Sequence, residues 1–510
     1  MSHASQTTAP TAYRESATSE ESVSVSRKSG GGSLKVFMRL MPLGAMLSLL
    51  MLAGCQYTAA PADLLLKPEI GEDKEQLLAA VTKALPEFSI LMLPHSNDVM
   101  EAVRLIDLDG DGKNEAVVTY YNEYSSPEIM TLRQTDNGWR QWLLVQQPLA
   151  REMTWLSIID MDGDGVMELA VGWAGAFDSP SMLEMYSFSN KAARNDKGKL
   201  TMVPAASLPF SLADTADLNR DGKQVLAVIS GTSFSGTTAE LIMPVFQLAV
   251  YTWEDGKLAS RAKTTLPEGV NLFERIKMGS ISPRHQGILL EGGTGAHSML
   301  TYMYAWNGRD LSLVFPTPEQ EKLGYGFAGK PTVSRDMNGD GIIELQRTWE
   351  APGQEGVPYS DSLWITEWLQ WDGRNEFRKI AEQYVDESYG LLLDIPEAWQ
   401  GKYTLEKPPR ASYGVVTLQY YNPDTTERAD LVSIHVVPKN QWDGVEHVWR
   451  EEKRTFRTLG TYGGNLYAAV LYDETLGDAT SLTAHSRAEA GEMLKEKEQF
   501  LERIRIEFSE

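Results

Sequence analysis

The sequence predicts a mainly β protein: a β-propeller of about five four-stranded blades over residues 101–385, followed by a small α+β domain over 386–510. Three observations predict it. A pattern D-x-[DN]-x-D-G-x-x-E begins at Asp107, Asp160 and Asp336, and at Asp217 without its last acid. These starts lie 53, 57 and 119 residues apart, so the doubled last step calls for a further copy. GSISPRHQGILL from Gly279 fits that place, with every carboxylate gone. Finally, each copy sits between short apolar runs and is followed by a hairpin with Asn-Gly, Asp-Gly, Gly-Lys or Gly-Arg at its turn, as in YTWEDGKLAS. An open array or sandwich of the same units is the alternative arrangement.

The elements follow in order. Residues 1–34 are rich in Ser, Thr and Gly and read as disordered. Lys35 and Arg39 precede an apolar run from Met41 to Ala53 that ends in Leu52-Ala53-Gly54-Cys55. Basic, apolar and small segments in that order describe a secretory signal. The leader is long for one, and a start near Val36 or Met38 gives a more typical length. Residues 55–100 read as a tether followed by a helix, with Leu77, Leu78, Val81 and Leu85 at helical spacing over 72–85. The five repeats come next, each an apolar strand, a loop, a second strand and a hairpin. From Glu387 the repeat stops; strands such as YGVVTLQYY and LVSIHVVPK precede a charged helix from Arg487. In that helix Met493, Phe500, Leu501 and Ile504 form an apolar stripe.

Charge excludes some partners. The chain carries 47 Lys+Arg against 70 Asp+Glu, a net charge of −23. Such a surface repels phosphate backbones, so nucleic acid is not an expected partner. Cys55 is the single cysteine, which leaves no intramolecular disulfide and no Cys-based zinc cage. Gly324-Tyr-Gly-Phe-Ala-Gly329-Lys330 imitates a nucleotide loop, but such a loop needs a following helix, and Pro331 takes the Ser/Thr place. It reads as an inter-blade loop, and no nucleotide partner is expected. No H-E-x-x-H or G-x-S-x-G occurs.

The Asp-rich loops carry metal chemistry. Ca²⁺ takes six to eight hard oxygens, and carboxylates at alternate positions of a tight turn converge on one point. Glycine at the sixth position permits the turn. The twelfth positions are Val118, Val171, Val228 and Arg347, which rules out an EF-hand with its closing Glu there. The loops resemble the calcium loops of FG-GAP/VCBS propellers, including those of integrin heads, over roughly residues 100–383. That resemblance implies Ca²⁺ ligands Asp107, Asp109, Asp111 and Glu115; Asp160, Asp162, Asp164 and Glu168; and Asp336, Asn338, Asp340 and Glu344. Asp217, Asn219 and Asp221 form a weaker set, because Val225 replaces the closing acid and Arg220 intrudes. The copy at Gly279 is expected to bind nothing.

Leu-Ala-Gly-Cys after an apolar run resembles the bacterial lipobox. That implies a lipidated Cys55 as the first residue after cleavage, and a protein lipid-anchored on the extracytoplasmic face of the cell membrane. An uncleaved anchor is the alternative, for which the run is short against about 20 residues. GLLLDIPEAW is loosely similar to PsbP/Mog1-like domains and to end domains of Gram-positive lipoproteins, and transfers no function. In a four-stranded blade, the connections between second and third strands lie at the opposite end from the calcium loops. They carry Tyr124, Trp173, Phe177, Phe234 and Tyr359, aromatics suited to a polysaccharide, peptide or protein ligand. The expected function is a binding or scaffolding module of the cell envelope; the alternative is an envelope enzyme acting on polysaccharide.

Overall fold

The computed structural model describes residues 72–94, 101–175, 181–189, 192–196, 198–231, 244–354, 356–409, 412–473 and 482–507. Cys55, Phe177 and Phe234, with the leader and tether, lie outside them. Strand accounts for 49% of the described residues and helix for 13%, so the protein is mainly β. No described helix is long and apolar enough to cross a membrane.

Five sheets, each built on a run of sequential antiparallel strands, follow one another along the chain. The first is Val103–Ile106, Glu115–Tyr121, Pro127–Thr135 and Gly138–Gln146, each strand hydrogen-bonded to the next. The second is Glu152–Ile159, Glu168–Ala174, Met182–Ser187 and Ala206–Pro209. Leu212–Ala216, Val225–Gly231, Phe246–Glu254 and Lys257–Thr265 make the third. Leu272–Ser280, Gln286–Gly293, Met299–Trp306 and Leu311–Phe315 make the fourth. In the fifth the repeat's first strand shrinks to the bridge Arg335–Glu344, followed by Leu345–Glu350, Trp364–Trp371, Phe377–Asp386 and Leu391–Asp394. The hairpins close as their residues require: Asp255 and Gly256 both take positive φ (50° and 71°), the type I′ signature between Glu254 and Lys257.

Period-two alternation puts apolar side chains on both faces of each sheet, and each face finds a neighbour. Val117, Ile129 and Val145 of the first sheet pack on Leu169, Val171 and Tyr186 of the second. On the opposite side, Ala116, Val118 and Met130 receive Leu77 and Val81 of the helix Glu72–Ala84, while Leu78 points outward. Second and third sheets meet through Ala170, Leu183, Leu226 and Trp253. Third and fourth meet through Ala227, Leu248, Leu290 and Tyr302, and fourth and fifth through Leu289, Met303, Leu345 and Trp371. Each fully buried Leu, Val or Phe contributes about 1.5–3 kcal/mol. Among the described residues, none of these buried clusters joins the first sheet to the fifth.

The fifth sheet shares a core with a C-terminal sheet ordered Tyr403–Glu406, Gly414–Tyr421, Arg428–Pro438, Asn465–Leu471 and Thr455–Tyr462. Helix Trp442–Glu451 covers one side of that sheet, packing Trp442 and Trp449 against Phe456, Ala468 and Val470.

Three segments differ from the sequence reading. GKLTMV was expected to complete the second repeat's hairpin. Instead Leu200–Thr201 pairs in parallel with the edge of the first sheet at Leu144, and Ala206–Pro209 supplies the fourth strand. The connection is long enough to cross over, and an open edge offers unpaired backbone groups. Helix Ala484–Lys495, capped by Thr483, and helix Lys497–Leu501 stop short of the chain's last apolar residues. There Ile504–Ile506, β-branched at alternate positions, adds a strand to Leu391–Asp394. Leu391–Asp394, expected to open the C-terminal region, is itself hydrogen-bonded to Phe377–Asp386.

Candidate metal loops

The first Asp of each loop folds it. Asp107 accepts from the N–H groups of Gly110 (2.9 Å) and Gly112 (2.8 Å). Asp160 does the same with Gly163 and Gly165, and Asp336 with Gly339 and Gly341. Asp217 holds Asp221 and Gly222. The fifth-position acids brace the turn in turn: Asp111, Asp164, Asp221 and Asp340 accept from Lys113, Val166, Lys223 and Ile342 at 2.8–3.0 Å. The glycines take positive φ, which this path requires.

Three loops bring carboxylates to one point. Oxygens of Asp107, Asp109 and Glu115 lie within 4.8 Å of one another; so do those of Asp160, Asp162 and Glu168, and those of Asp336, Asp340 and Glu344. Asp111 and Asp164 stand outside these triads, and Asn338 offers an amide that donates to Asp340 at 3.1 Å. The third loop forms no such triad among the described residues. Val225 is fully buried where the closing Glu would stand, and Asn219 accepts from Trp306 Nε1 at 2.8 Å. Arg220 takes a left-handed φ of 57°.

The closing glutamates are in the interior: Glu115, Glu168 and Glu344 are at most 2% exposed. In each, Oε2 accepts from the N–H of the loop's second residue, Leu108 (3.0 Å), Met161 (3.1 Å) or Met337 (2.8 Å). Burial still dominates, raising all three carboxyls and pushing Glu168 up to about 7. Burial and the neighbouring Asp164 and Asp160 also raise Asp162. Asp109 Oδ1 and Asp162 Oδ1 are buried with no hydrogen-bond partner. Orphaned carboxylate oxygens facing a second buried acid fit a hard divalent cation, which would replace the lost hydration.

The loops also touch one another. The second residue's carbonyl accepts from the eighth residue of the next loop: Leu108 O from Met167 N (3.0 Å), and Met161 O from Gln224 N (3.1 Å). Ser280 O accepts from Ile343 N at 2.8 Å. The fourth loop is a shorter turn, since Ser280 pairs with Gln286 across residues 281–285. Ser282 and His285 Nδ1 bond there at 2.9 Å, with no acid.

A comparison with protein-family models and with curated proteins finds no match to this chain.

The aromatic residues separate. Tyr124 is 73% exposed, just past the strand Glu115–Tyr121 and so at the end of the first sheet away from its Asp loop. Tyr359, 41% exposed, stacks on His297 at 4.5 Å and approaches Trp364 at 5.4 Å, joining connections of the fourth and fifth repeats. Trp173 is corrected to a core residue: it is 2% exposed in the cluster between the first and second sheets, because it continues the inward side of Leu169 and Val171. Gly324–Lys330 contributes Phe327–Ala328 to the edge of Met299–Trp306, and the following Pro331–Ser334 is not helical.

Sequence reasoning missed two features. A cavity of about 750 Å³ is lined by first strands of the second, third and fourth repeats and by Val333–Arg335, with Trp155, Asp214, Glu274 and Arg275 on its walls. The second is a set of third-strand residues facing the triads. Arg133 donates to Glu115 and Asp109, and Gln370 to Asp340 (2.8 Å) and Glu344 (2.9 Å). Counting residues across each hairpin from the closing Glu would have found both.

Proposed function

We propose that the protein is a cell-envelope lipoprotein, anchored through Cys55, whose five sheets are blades of a calcium-stabilised propeller serving as a binding or scaffolding module. The observation that carries this reading is the recurrence of a buried closing glutamate with two loop aspartates in the first, second and fifth repeats. Ca²⁺ held there would supply positive charge, tying the first two strands of a blade together at their shared end. In the second loop Asp160, Asp162 and Glu168 would hold it. Exported modules bind calcium at roughly 10⁻⁴–10⁻³ M, so the ion acts as a structural clamp in a calcium-rich exterior.

The ligand face of this reading is the opposite end, where Tyr124 and the stacked pair His297–Tyr359 stand exposed on connections, with the half-buried Trp364 beside Tyr359. Aromatic faces on loops over a rigid scaffold suit sugar rings or peptide side chains. The test is a binding screen of the full chain in detergent against purified cell wall and peptidoglycan fragments, followed by product analysis. Binding without turnover, weakened by Tyr359→Ala, is the expected result. The polysaccharide-acting alternative draws on Asp214 and Glu274 in the cavity; release of shortened glycans, abolished by Glu274→Gln, would replace the binding reading with it.

A further inference from the structure

We infer that Arg133 is the resident cation of the first loop, so that the third-strand residue opposite the closing glutamate decides which loops accept a metal ion. This rests on the calcium reading above and names which of its loops are available.

The strand register defines the deciding position. Ala116 pairs with Leu132, so Glu115 stands opposite Arg133. Glu168 pairs with Ser187, and Leu345 with Leu369, so Glu344 stands opposite Gln370. The third repeat places Thr252 opposite Val225. One structural position thus holds Arg, Ser, Thr and Gln in four repeats that share the same loop.

Arg133 fills its acidic cluster. Its Nε donates to Glu115 Oε1 at 3.0 Å, and Nη2 donates to Asp109. The guanidinium lies 3.6 Å from the Trp142 ring centroid, so stacking fixes its direction. Two of the three triad acids are therefore paired to a planar, permanently charged group. A divalent ion would have to displace that group, and both cations cannot share the cluster.

The second loop has no such group. Ser187 bonds to Ser189 Oγ at 2.8 Å and carries no charge. Asp162 Oδ1 is orphaned as Asp109 Oδ1 is, but among the described residues no arginine pairs with Asp162 or Glu168 as Arg133 does with Asp109 and Glu115. The fifth loop is intermediate: Gln370 is neutral, and rotating its amide would present an oxygen instead of the two N–H groups it now donates, at the cost of the bond its Oε1 accepts from Arg378 at 3.2 Å. The second and fifth loops are then the metal loops, and the first closes on its own arginine.

The experiment counts bound calcium by equilibrium dialysis of the full chain in detergent and records its melting temperature in EDTA and in calcium. Arg133→Ser should bind one ion more than wild type. In EDTA it should melt lower than wild type, with the loss recovered by calcium. Arg133→Lys, which keeps the charge, should bind no extra ion. The converse change, Ser187→Arg, should bind one ion fewer. Asp109→Ala in the wild-type background should leave the count unchanged. A count lowered by Asp109→Ala, or an Arg133→Ser chain that melts in EDTA like wild type, overturns the inference. Failure of the calcium reading looks different: no variant binds calcium, while Arg133→Ser still lowers the EDTA melting temperature.

Discussion

Gly110 offers a direct reading of how the Asp loops sit against one another. It has φ +73°, and a Cβ built on it would lie 2.8 Å from the carbonyl oxygen of Gly165 in the next loop. Gly112, two residues on, has φ +84° and would place its Cβ with nothing within 4 Å. Alanine at either site meets the left-handed penalty, about 1–2 kcal/mol. At Gly110 it also drives a methyl into backbone, and overpacking of that kind costs about 1–3 kcal/mol. Gly110→Ala should therefore lose about 2–5 kcal/mol, Gly112→Ala about 1–2 kcal/mol, and the gap between them measures loop-to-loop contact. Urea titration reads the difference from the midpoints at unchanged slope. Equal losses would refute the juxtaposition of the first and second loops.

The other expectations are these. Trp173→Ala should destabilise by about 3–5 kcal/mol, as for any large core aromatic, and any loss of wall binding should track unfolding; a stable chain with selective loss of binding would return Trp173 to the ligand face. Asp160→Ala should abolish more of the calcium-dependent rise in melting temperature than Asp217→Ala, since the third loop has Val225 for its closing acid; equal effects in paired melts would contradict the triads. His435 is 3% exposed, its Nδ1 lies 2.9 Å from Ser412 O, Nε2 has no partner, and burial lowers its pKa below the ordinary 6.5. Below pH 6.5 the unfolded chain gains the proton first, so stability falls as pH drops, by up to about 1.4 kcal/mol per pH unit until the folded pKa is reached. His435→Gln should flatten that part of the stability–pH curve, and an unchanged slope would show that His435 is not its source.

Local chemistry made the Asp loops legible: a carboxylate at the first position bonds N–H groups three and five residues on, so the spacing itself encodes the turn. The missing acid at Val225 was equally plain. Trp173 was misread because it borders a Gly-rich connection, although period-two alternation already aligned it with Leu169 and Val171. Arg133 stayed hidden because its partner Glu115 lies 18 residues away, and only strand register brings them together. Helical spacing at Met493 and Phe500 continues formally to Ile504, but the edge of Leu391–Asp394 claims that residue. Where the second repeat's long connection would go was not encoded locally, since an open edge on a neighbouring sheet decided it.

If the buried acid triads hold calcium, as proposed, the folded scaffold is stabilised by it. The most direct measurement is the melting temperature of the full chain in detergent, titrated with calcium after EGTA treatment, for wild type and for Asp160→Ala. Ligand binding to the folded state alone adds RT ln(1 + [L]/Kd), about 2.7 kcal/mol at a hundredfold excess over Kd. Wild type should show a concentration-dependent rise that shrinks in Asp160→Ala. Identical melting of wild type in EGTA and in millimolar calcium would contradict it.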